Sequence, residues 1–311
     1  MQTVLGAGGP IANIIARSLP DYCERIRLVS RNPKAVNRGD ALFAADLLQP
    51  KLVDAAVAGS EVVYLCPGLL YKSSVWEQQW PVVMQNTINS CEKFGARLVF
   101  FDNVYAYGQV DGEMTESTPF NPCSRKGEVR AKIATQLLDA MQQGRVEALI
   151  ARSADFYGPA TPYSMLTFLV FDNLNHGKGT QWMIRTDLPH SFTYTPDAGQ
   201  VTALLGNTPE AFGQTWHLPT DPAPWTPAQF IEEVQRAYGN TGKPMVLGKG
   251  MMKLLSWFIP VLRETLEMQY QNEQPYHFSS AKILKELEIP FTPYARGLKE
   301  TIQHYQALRK K

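Results

Sequence analysis

The sequence has 311 residues, of which 44% are hydrophobic, and a formal net charge of +1. That length can bury a large core and suggests about two domains. The small charge gives no basic excess to neutralise a nucleic-acid backbone and no polybasic run for an acidic membrane, so no nucleic-acid partner is expected.

The chain opens with Gln2–Leu5, a short apolar stretch that reads as a buried strand. Gly6-Ala7-Gly8-Gly9-Pro10-Ile11-Ala12 follows as a glycine-rich turn, and Asn13–Arg17 opens a helix. Strand, glycine turn and helix together suit a dinucleotide pyrophosphate. Glycine allows a tight turn with positive φ and lets phosphate approach the backbone. The helix start offers unpaired N–H groups and the positive end of the helix dipole. Pro10 suits a first helical turn. The alternative is a bare β–α turn without a ligand.

Arg25–Arg31 reads as a second strand. Its end is where an adenosine ribose would lie, and it carries Ser30 and Arg31 instead of an acid, which favours the 2′-phosphate of NADP over NAD. Asp40–Asp46 reads as a third strand and Gln49–Gly59 as a helix. Ser60–Cys66 reads as a fourth strand that breaks at Pro67-Gly68, a loop expected against the cofactor. Trp76–Phe94 reads as a long helix, and Arg97–Phe101 as a fifth strand buried on both faces. Ala131–Gln143 reads as a helix and Ala148–Arg152 as a sixth strand. This alternation predicts an α/β fold with a doubly wound parallel sheet.

After Tyr157-Gly158-Pro159 the composition changes, with prolines at Pro219, Pro222, Pro224 and Pro227. Helices are expected at Ser164–Asn175, Pro196–Leu205, Pro227–Tyr238, Met251–Phe258 and Val261–Glu273, and a strand at Thr215–Leu218. The expected division is a nucleotide-binding domain over residues 1–160 and a smaller, mainly helical substrate part over 161–311, with about 190–220 returning to the sheet. Leu254–Leu262 is too short to span a bilayer and contains Pro260, so a buried helix is expected, with a greasy substrate wall as the alternative. No stable membrane insertion is expected. Cys23, Cys66, Cys91 and Cys123 stand apart with no CxxC pair, which suits reduced thiols in the cytoplasm. Met1 leads straight into a strand, so no signal peptide is expected.

Together these motifs resemble the extended short-chain dehydrogenase/reductase superfamily, in its NAD-dependent epimerase/dehydratase group. Gly6-x-x-Gly9-x-x-Ala12 resembles the group's Rossmann turn. The resemblance places Asp46, with Leu47, against adenine, and Cys66-Pro67-Gly68 at the cofactor. Ala106-Tyr107-Gly108 is similar to the VYG element, and Arg152 with Asp155–Pro159 to R-x-x-N-V-Y-G-P. His190–Asp197 is similar to R-D-F-I-H-V-x-D, and Trp216-His217-Leu218 to Y-N-L. By this likeness Gly6, Gly8, Gly9, Pro10, Ile11, Ser30, Arg31, Asp46, Leu47, Cys66, Pro67, Gly68, Asp102, Lys126 and Asp155 are the cofactor-binding candidates, for NADP before NAD. A small-molecule substrate and a possible homodimer are implied too, with Trp76–Phe94 and Ala131–Gln143 as the dimer helices.

The departures concern catalysis. The group uses a Ser or Thr before its VYG and a Tyr-x-x-x-Lys on a helix. Here Asp102-Asn103 stands at the first position and Lys126-Gly127-Glu128-Val129-Arg130 at the second. Lys126 is the candidate proton-exchanging group, Arg130 could hold the cofactor ribose or a phosphate, and Asn103 could orient a substrate carbonyl. The alternatives are that Lys126 and Arg130 are solvated helix charges, or that Tyr105, Tyr107 or Tyr157 takes the acid role. The histidines show no metal-binding spacing, so no metal is expected, and no GxSxG elbow is present. His190 is the histidine to watch, with a surface loop as its alternative place. The expected activity is an NADP-dependent oxidoreductase or epimerase-like enzyme for a small carbonyl or alcohol. A non-catalytic NADP-binding sensor is the second expectation. A lipid- or sterol-like substrate is a third, from Met251-Met252 and Trp257-Phe258-Ile259.

Overall fold

The computed structural model describes residues 1–309. A seven-stranded sheet is built from β1 (Gln2–Leu5), β2 (Ile26–Ser30), β3 (Ala41–Ala44), β4 (Val62–Leu65), β5 (Arg97–Asn103), β6 (Ala148–Ser153) and β7 (Thr215–His217). Its order is β7-β6-β5-β4-β1-β2-β3, with every neighbouring pair parallel. Strand order reverses at β1, which lies between β2 and β4. The carboxyl ends of β1 and β4 therefore flank the crevice where open α/β sheets take their ligands.

The pleat explains which residues each strand commits to each layer. Val63 and Leu65 join an apolar cluster with α2 (Pro50–Val57), α3 (Ser73–Phe94) and α4 (Arg125–Gln142), contributed by Val53, Trp80, Met84, Ile88, Ile133 and Leu137 among others. Tyr64 points the other way. Its hydroxyl donates to Gln2 Oε1 at 2.9 Å, and its ring lies against Gly206 at the end of α5 (Thr195–Gly206). On that same layer α1 (Pro10–Ser18) meets α5 so closely that a Cβ on Gly199 would stand 2.5 Å from Ile14.

The chain forms two compact units. The sheet unit comprises Met1–Gly108, Pro119–Ser153 and Ala198–Leu218; the second comprises Gln109–Thr118, Ala154–Asp197 and Pro219–Lys311. The second unit has an aromatic core of Tyr157, Phe171, Trp182, Phe192, Phe230 and Tyr294. Its main helices are α6 (Pro227–Tyr238), α7 (Lys249–Leu255), α8 (Pro260–Leu266) and α9 (Tyr294–Arg309). Thr226 and Gln229 form a reciprocal capping box that starts α6.

Several sequence expectations are corrected here. α4 begins at Arg125 rather than Ala131, because Ser124 accepts the Gly127 N–H at 3.0 Å and caps a helix through the polar Lys-Gly-Glu-Val-Arg segment. The helix expected over Val261–Glu273 ends at Leu266, and a 3₁₀ turn follows at Gln269–Asn272. α9 was not anticipated. The run expected as a buried helix near Leu254 is instead exposed at Leu254, Trp257, Phe258, Ile259 and Val261.

Candidate functional site

The glycine turn sits at the carboxyl end of β1. Gly6 has φ +94°, and a Cβ there would meet Pro67 Cα at 2.3 Å, so the turn lies directly on the loop that follows β4. The Gly6 and Ala7 amides both donate to Val29 O, at 2.9 and 3.0 Å. Gly8 has φ +106° and nothing within 4 Å of where a Cβ would stand; Gly9 has the same open space. Gly9 is the N-cap of α1, Pro10 occupies its first turn, and no side chain caps the helix. The turn thus leaves room and backbone donors for an anion, and its residues fit a dinucleotide phosphate. Ile11 behind it is buried.

The other cofactor candidates of the sheet unit fall at strand ends around this turn. Ser30 closes β2, and Arg31 beyond it is exposed. From Ser30 to Gly39 the chain carries Arg31, Lys34 and Arg38 and no acid. Asp40, the first acid after them, accepts from the amides of Val36 and Asn37 at 2.8 and 2.7 Å. Asp46 follows β3 and accepts from the Leu48 amide at 3.0 Å, while Leu47 O accepts from Asn86 at 2.9 Å. Cys66, Pro67 and Gly68 follow β4. Asp155 belongs to the second unit, where its Oδ2 meets His190 Nε2 at 2.9 Å.

Lys126 and Arg130 lie inside the sheet unit. Lys126 is fully buried in the first turn of α4. Its Nζ donates to Ser73 Oγ at 2.9 Å and stands 4.6 Å from the centre of the Tyr71 ring. Both partners come from the start of α3 and the segment leading into it. Arg130, one turn further along α4, is also buried. Its Nε donates to Asp102 Oδ1 at 2.8 Å, its Nη2 pairs with the same oxygen, and its guanidinium stacks on Trp80 and Phe100 at 4.5 and 5.0 Å. Neither cation is a solvated helix charge.

Asp102 is therefore a hub rather than an open contact. It is buried on β5, directly opposite Arg152 on β6, and Arg152 donates to its Oδ2 at 2.8 and 3.1 Å. Burial raises the Asp102 pKa, but the charges and hydrogen bonds of Arg130 and Arg152 outweigh it, and the net shift is downward. Arg152 also donates to the Tyr107 hydroxyl at 2.7 Å, and that hydroxyl lies 2.6 Å from His217 Nε2. Arg130, Asp102, Arg152, Tyr107 and His217 form one buried polar chain across β5, β6 and β7. The charged arginine in the otherwise apolar β6 was the sequence signal for it. The Ser73 partner of Lys126, remote in sequence, had none.

Asn103 is half-buried, and its Oδ1 accepts the Tyr105 amide at 3.1 Å in a local turn. Tyr105 stacks on Trp76. Tyr157 is buried in the second unit among Tyr194, Phe230 and Tyr294. Burial drives its pKa strongly upward, which argues against an acid role at neutral pH. His190 is not on a surface loop: it is 2% exposed and stacks on Tyr276 with ring centres 4.3 Å apart.

Residues 3–214 match the NAD dependent epimerase/dehydratase family. The chain belongs to that family. Among solved structures, the dTDP-glucose 4,6-dehydratase DesIV of Streptomyces venezuelae, a double mutant with NAD and DAU bound, superposes with a TM-score of 0.81 at 18% identity, covering 100% of this chain and 98% of its own. The Thermus thermophilus UDP-glucose 4-epimerase in complex with NAD gives a TM-score of 0.77 at 16% identity, over 98% and 99% of the two chains. The Thermotoga maritima UDP-glucose 4-epimerase with UDP-glucose gives 0.80 at 14% identity, over 99% of each. At these identities the likeness is one of fold. No curated protein sequence matches. Among the described residues no helix is long and apolar enough to cross a membrane.

Proposed function

We propose that this member of the epimerase/dehydratase family is an NADP-dependent oxidoreductase or epimerase-like enzyme for a small alcohol or carbonyl substrate. The glycine turn at the head of α1 carries this reading, because no side chain caps the helix and the space beside Gly8 and Gly9 is open. Gly6, Gly8, Gly9, Pro10 and Ile11 would hold the pyrophosphate. Arg31 at the end of β2, with Lys34 and Arg38 nearby in sequence, supports a 2′-phosphate. Asp46, Leu47 and Cys66–Gly68 would frame the adenosine and the path beyond it. The bound nicotinamide would supply reversible hydride transfer.

The chain's own part is proton handling and orientation. Lys126 is the nearest counterpart in this sequence to the family's catalytic tyrosine, and it would exchange a proton with a substrate oxygen. The hydroxyl of Ser73 and the face of Tyr71 hold that amine in place. The Arg130–Asp102 pair ties α4 to β5 and keeps Lys126 from drifting. The sugar nucleotides named for the solved relatives are rich in hydroxyls and fit the substrate class.

A second reading, a non-catalytic NADP-binding sensor, is favoured by Arg130, whose guanidinium is committed to Asp102 and to aromatic faces. Titration with NADPH and NADH, repeated on Arg31→Ala, tests the cofactor. NADPH should bind more tightly, and the variant should lose about ten- to a hundredfold of that preference. Binding of neither nucleotide by folded protein would leave only a structural turn. Turnover of a sugar nucleotide that disappears in Lys126→Met supports the enzyme; tight NADPH binding without turnover across such substrates supports the sensor.

A further inference from the structure

Between Gly239 and Arg263 the chain carries no Asp or Glu and four cations, Lys243, Lys249, Lys253 and Arg263. All four are exposed. The net charge of the whole chain is only +1, so the remainder is net negative, and the other acid-free basic stretch, Arg25–Gly39, belongs to the sheet unit. Lys249 pairs with Glu273 at 2.6 Å, while among the described residues no ion pair engages Lys243, Lys253 or Arg263. The acids that follow on α8, Glu264 and Glu267, are half-buried.

The same stretch concentrates exposed apolar surface. Met245, Val246, Met251, Leu254, Trp257, Phe258, Ile259 and Val261 are exposed, with Trp257 at 73% and Phe258 at 77%. Met245 and Val246 lie in a short strand, Met251 and Leu254 on α7, Val261 on α8, and Trp257, Phe258 and Ile259 in the connection between the two helices. The other side of these helices is anchored: Met252, Leu255, Leu262 and Leu266 pack on the aromatic core of the second unit. The outward residues are therefore held out by a fixed platform. Exposed apolar patches of this kind mark contact surfaces.

Cations of one sign around protruding aromatic and aliphatic side chains match one environment closely. A bilayer interface takes tryptophan and phenylalanine at headgroup depth, and anionic headgroups attract the surrounding lysine and arginine. We propose that this surface, from Met245 to Arg263, seats the protein on an anionic phospholipid bilayer. Trp257 and Phe258 enter the headgroup layer, while Lys243, Lys253 and Arg263 face the lipid phosphates. The attachment is peripheral. The cations are spread along the stretch rather than placed in a run, so composition alone does not reveal them. This proposal stands apart from the dinucleotide reading and survives its failure.

The test is co-sedimentation of the full-length protein with vesicles of phosphatidylcholine alone or with about one-third phosphatidylserine. Each cation near an anionic surface contributes about fivefold to partitioning, so three give about a hundredfold preference for the anionic vesicles at low salt. Added salt should erode that preference. Trp257→Ser combined with Phe258→Ser should abolish binding, and Lys253→Glu should weaken it by about tenfold or more. These side chains are exposed, so circular dichroism should show the variants folded. Failure to bind anionic vesicles, or equal binding to both kinds, would overturn the proposal. So would concentration-dependent self-association by sedimentation velocity that the double variant removes, which would assign the patch to a second copy of the chain.

Discussion

The Tyr107 hydroxyl lies 2.6 Å from Nε2 of His217, at one end of the buried polar chain that begins at Arg130. Arg152 donates into the same hydroxyl oxygen at 2.7 Å. Arginine can only donate, so the hydroxyl oxygen accepts from Arg152, while the direction of its bond to His217 is set by the imidazole tautomer. Tyr107→Phe removes an acceptor from Arg152 and a hydrogen-bond partner from His217 in a buried site. The expected cost is about 1–3 kcal/mol, read from urea unfolding at neutral pH. An unchanged midpoint would mean that the two neighbours are satisfied without the hydroxyl.

Asp102 should be the more costly position. Asp102→Asn leaves two buried guanidiniums without their shared carboxylate, at an expected loss of about 3–5 kcal/mol. The pH dependence has a definite sign. The folded pKa of Asp102 is depressed below its unfolded value, so its contribution is present above the unfolded pKa of about 3.9 and is lost as pH falls through the folded value. Wild-type stability should therefore decline below about pH 4, and the Asn variant should show a shallower decline there. Chemical denaturation at a series of acid pH values measures both slopes.

Gly6 and Gly8 should respond differently to alanine. At Gly6 the new methyl group would collide with the backbone of Pro67, so Gly6→Ala should lower the melting temperature strongly. At Gly8 the methyl group meets no protein atom, and the positive φ alone costs about 1–2 kcal/mol. Gly8→Ala should therefore remain folded while losing nucleotide affinity, because the methyl group occupies the space left for phosphate. Thermal melts paired with NADPH titration separate the two effects. Equal losses of stability at both positions would contradict the open space at Gly8.

Lys126→Met replaces a buried cation by an apolar chain of similar length. Stability should change by less than about 1.5 kcal/mol, or rise, while turnover disappears. Ser73→Ala should cost about 1 kcal/mol through the lost hydrogen bond and lower turnover less severely. Thermal melts and steady-state rates on one preparation distinguish a proton-exchanging lysine from one that only packs. A destabilised Lys126→Met that keeps its rate would assign the residue to packing.

In the second unit the Tyr157 hydroxyl is buried with no hydrogen-bond partner among the described residues, and a Cβ on Gly297 would stand 2.4 Å from it. Tyr157→Phe should be neutral or stabilising, since it removes an unsatisfied polar atom. Gly297→Ala should destabilise by about 1–3 kcal/mol and be partly rescued by Tyr157→Phe. A double-mutant cycle in urea measures the coupling; its absence would mean that the helix shifts instead.

Legibility followed the range of the interactions. β5 was readable because burial on both faces leaves an uninterrupted apolar run, and the β1 turn because glycines are needed locally. The start of α4 was not, because its first turn looks polar and depends on a single Ser124 cap. Lys126 and Arg130 were singled out by the family resemblance, but they fell before the helix as read from Ala131, and their surroundings were not readable. Ser73 and Asp102 reach them only through the packing of α3 and β5, which no local pattern encodes. His190 shows the same limit: its loop sequence gave no sign that it stacks on Tyr276. At Trp257 and Phe258 the apolar run suggested burial, although such a run records composition and not which side faces inward.

The sheet unit also sets a schedule for synthesis. β6 ends at Ser153, and its edge partner β7 begins at Thr215. At about 5–20 residues per second, a ribosome needs roughly 3–12 s to supply the intervening chain. During that interval β6 is an apolar sheet edge without its outer neighbour, and the Arg152–Tyr107 pair waits for His217. This is the window in which the nascent chain is most exposed to mispairing and has most to gain from a holding chaperone.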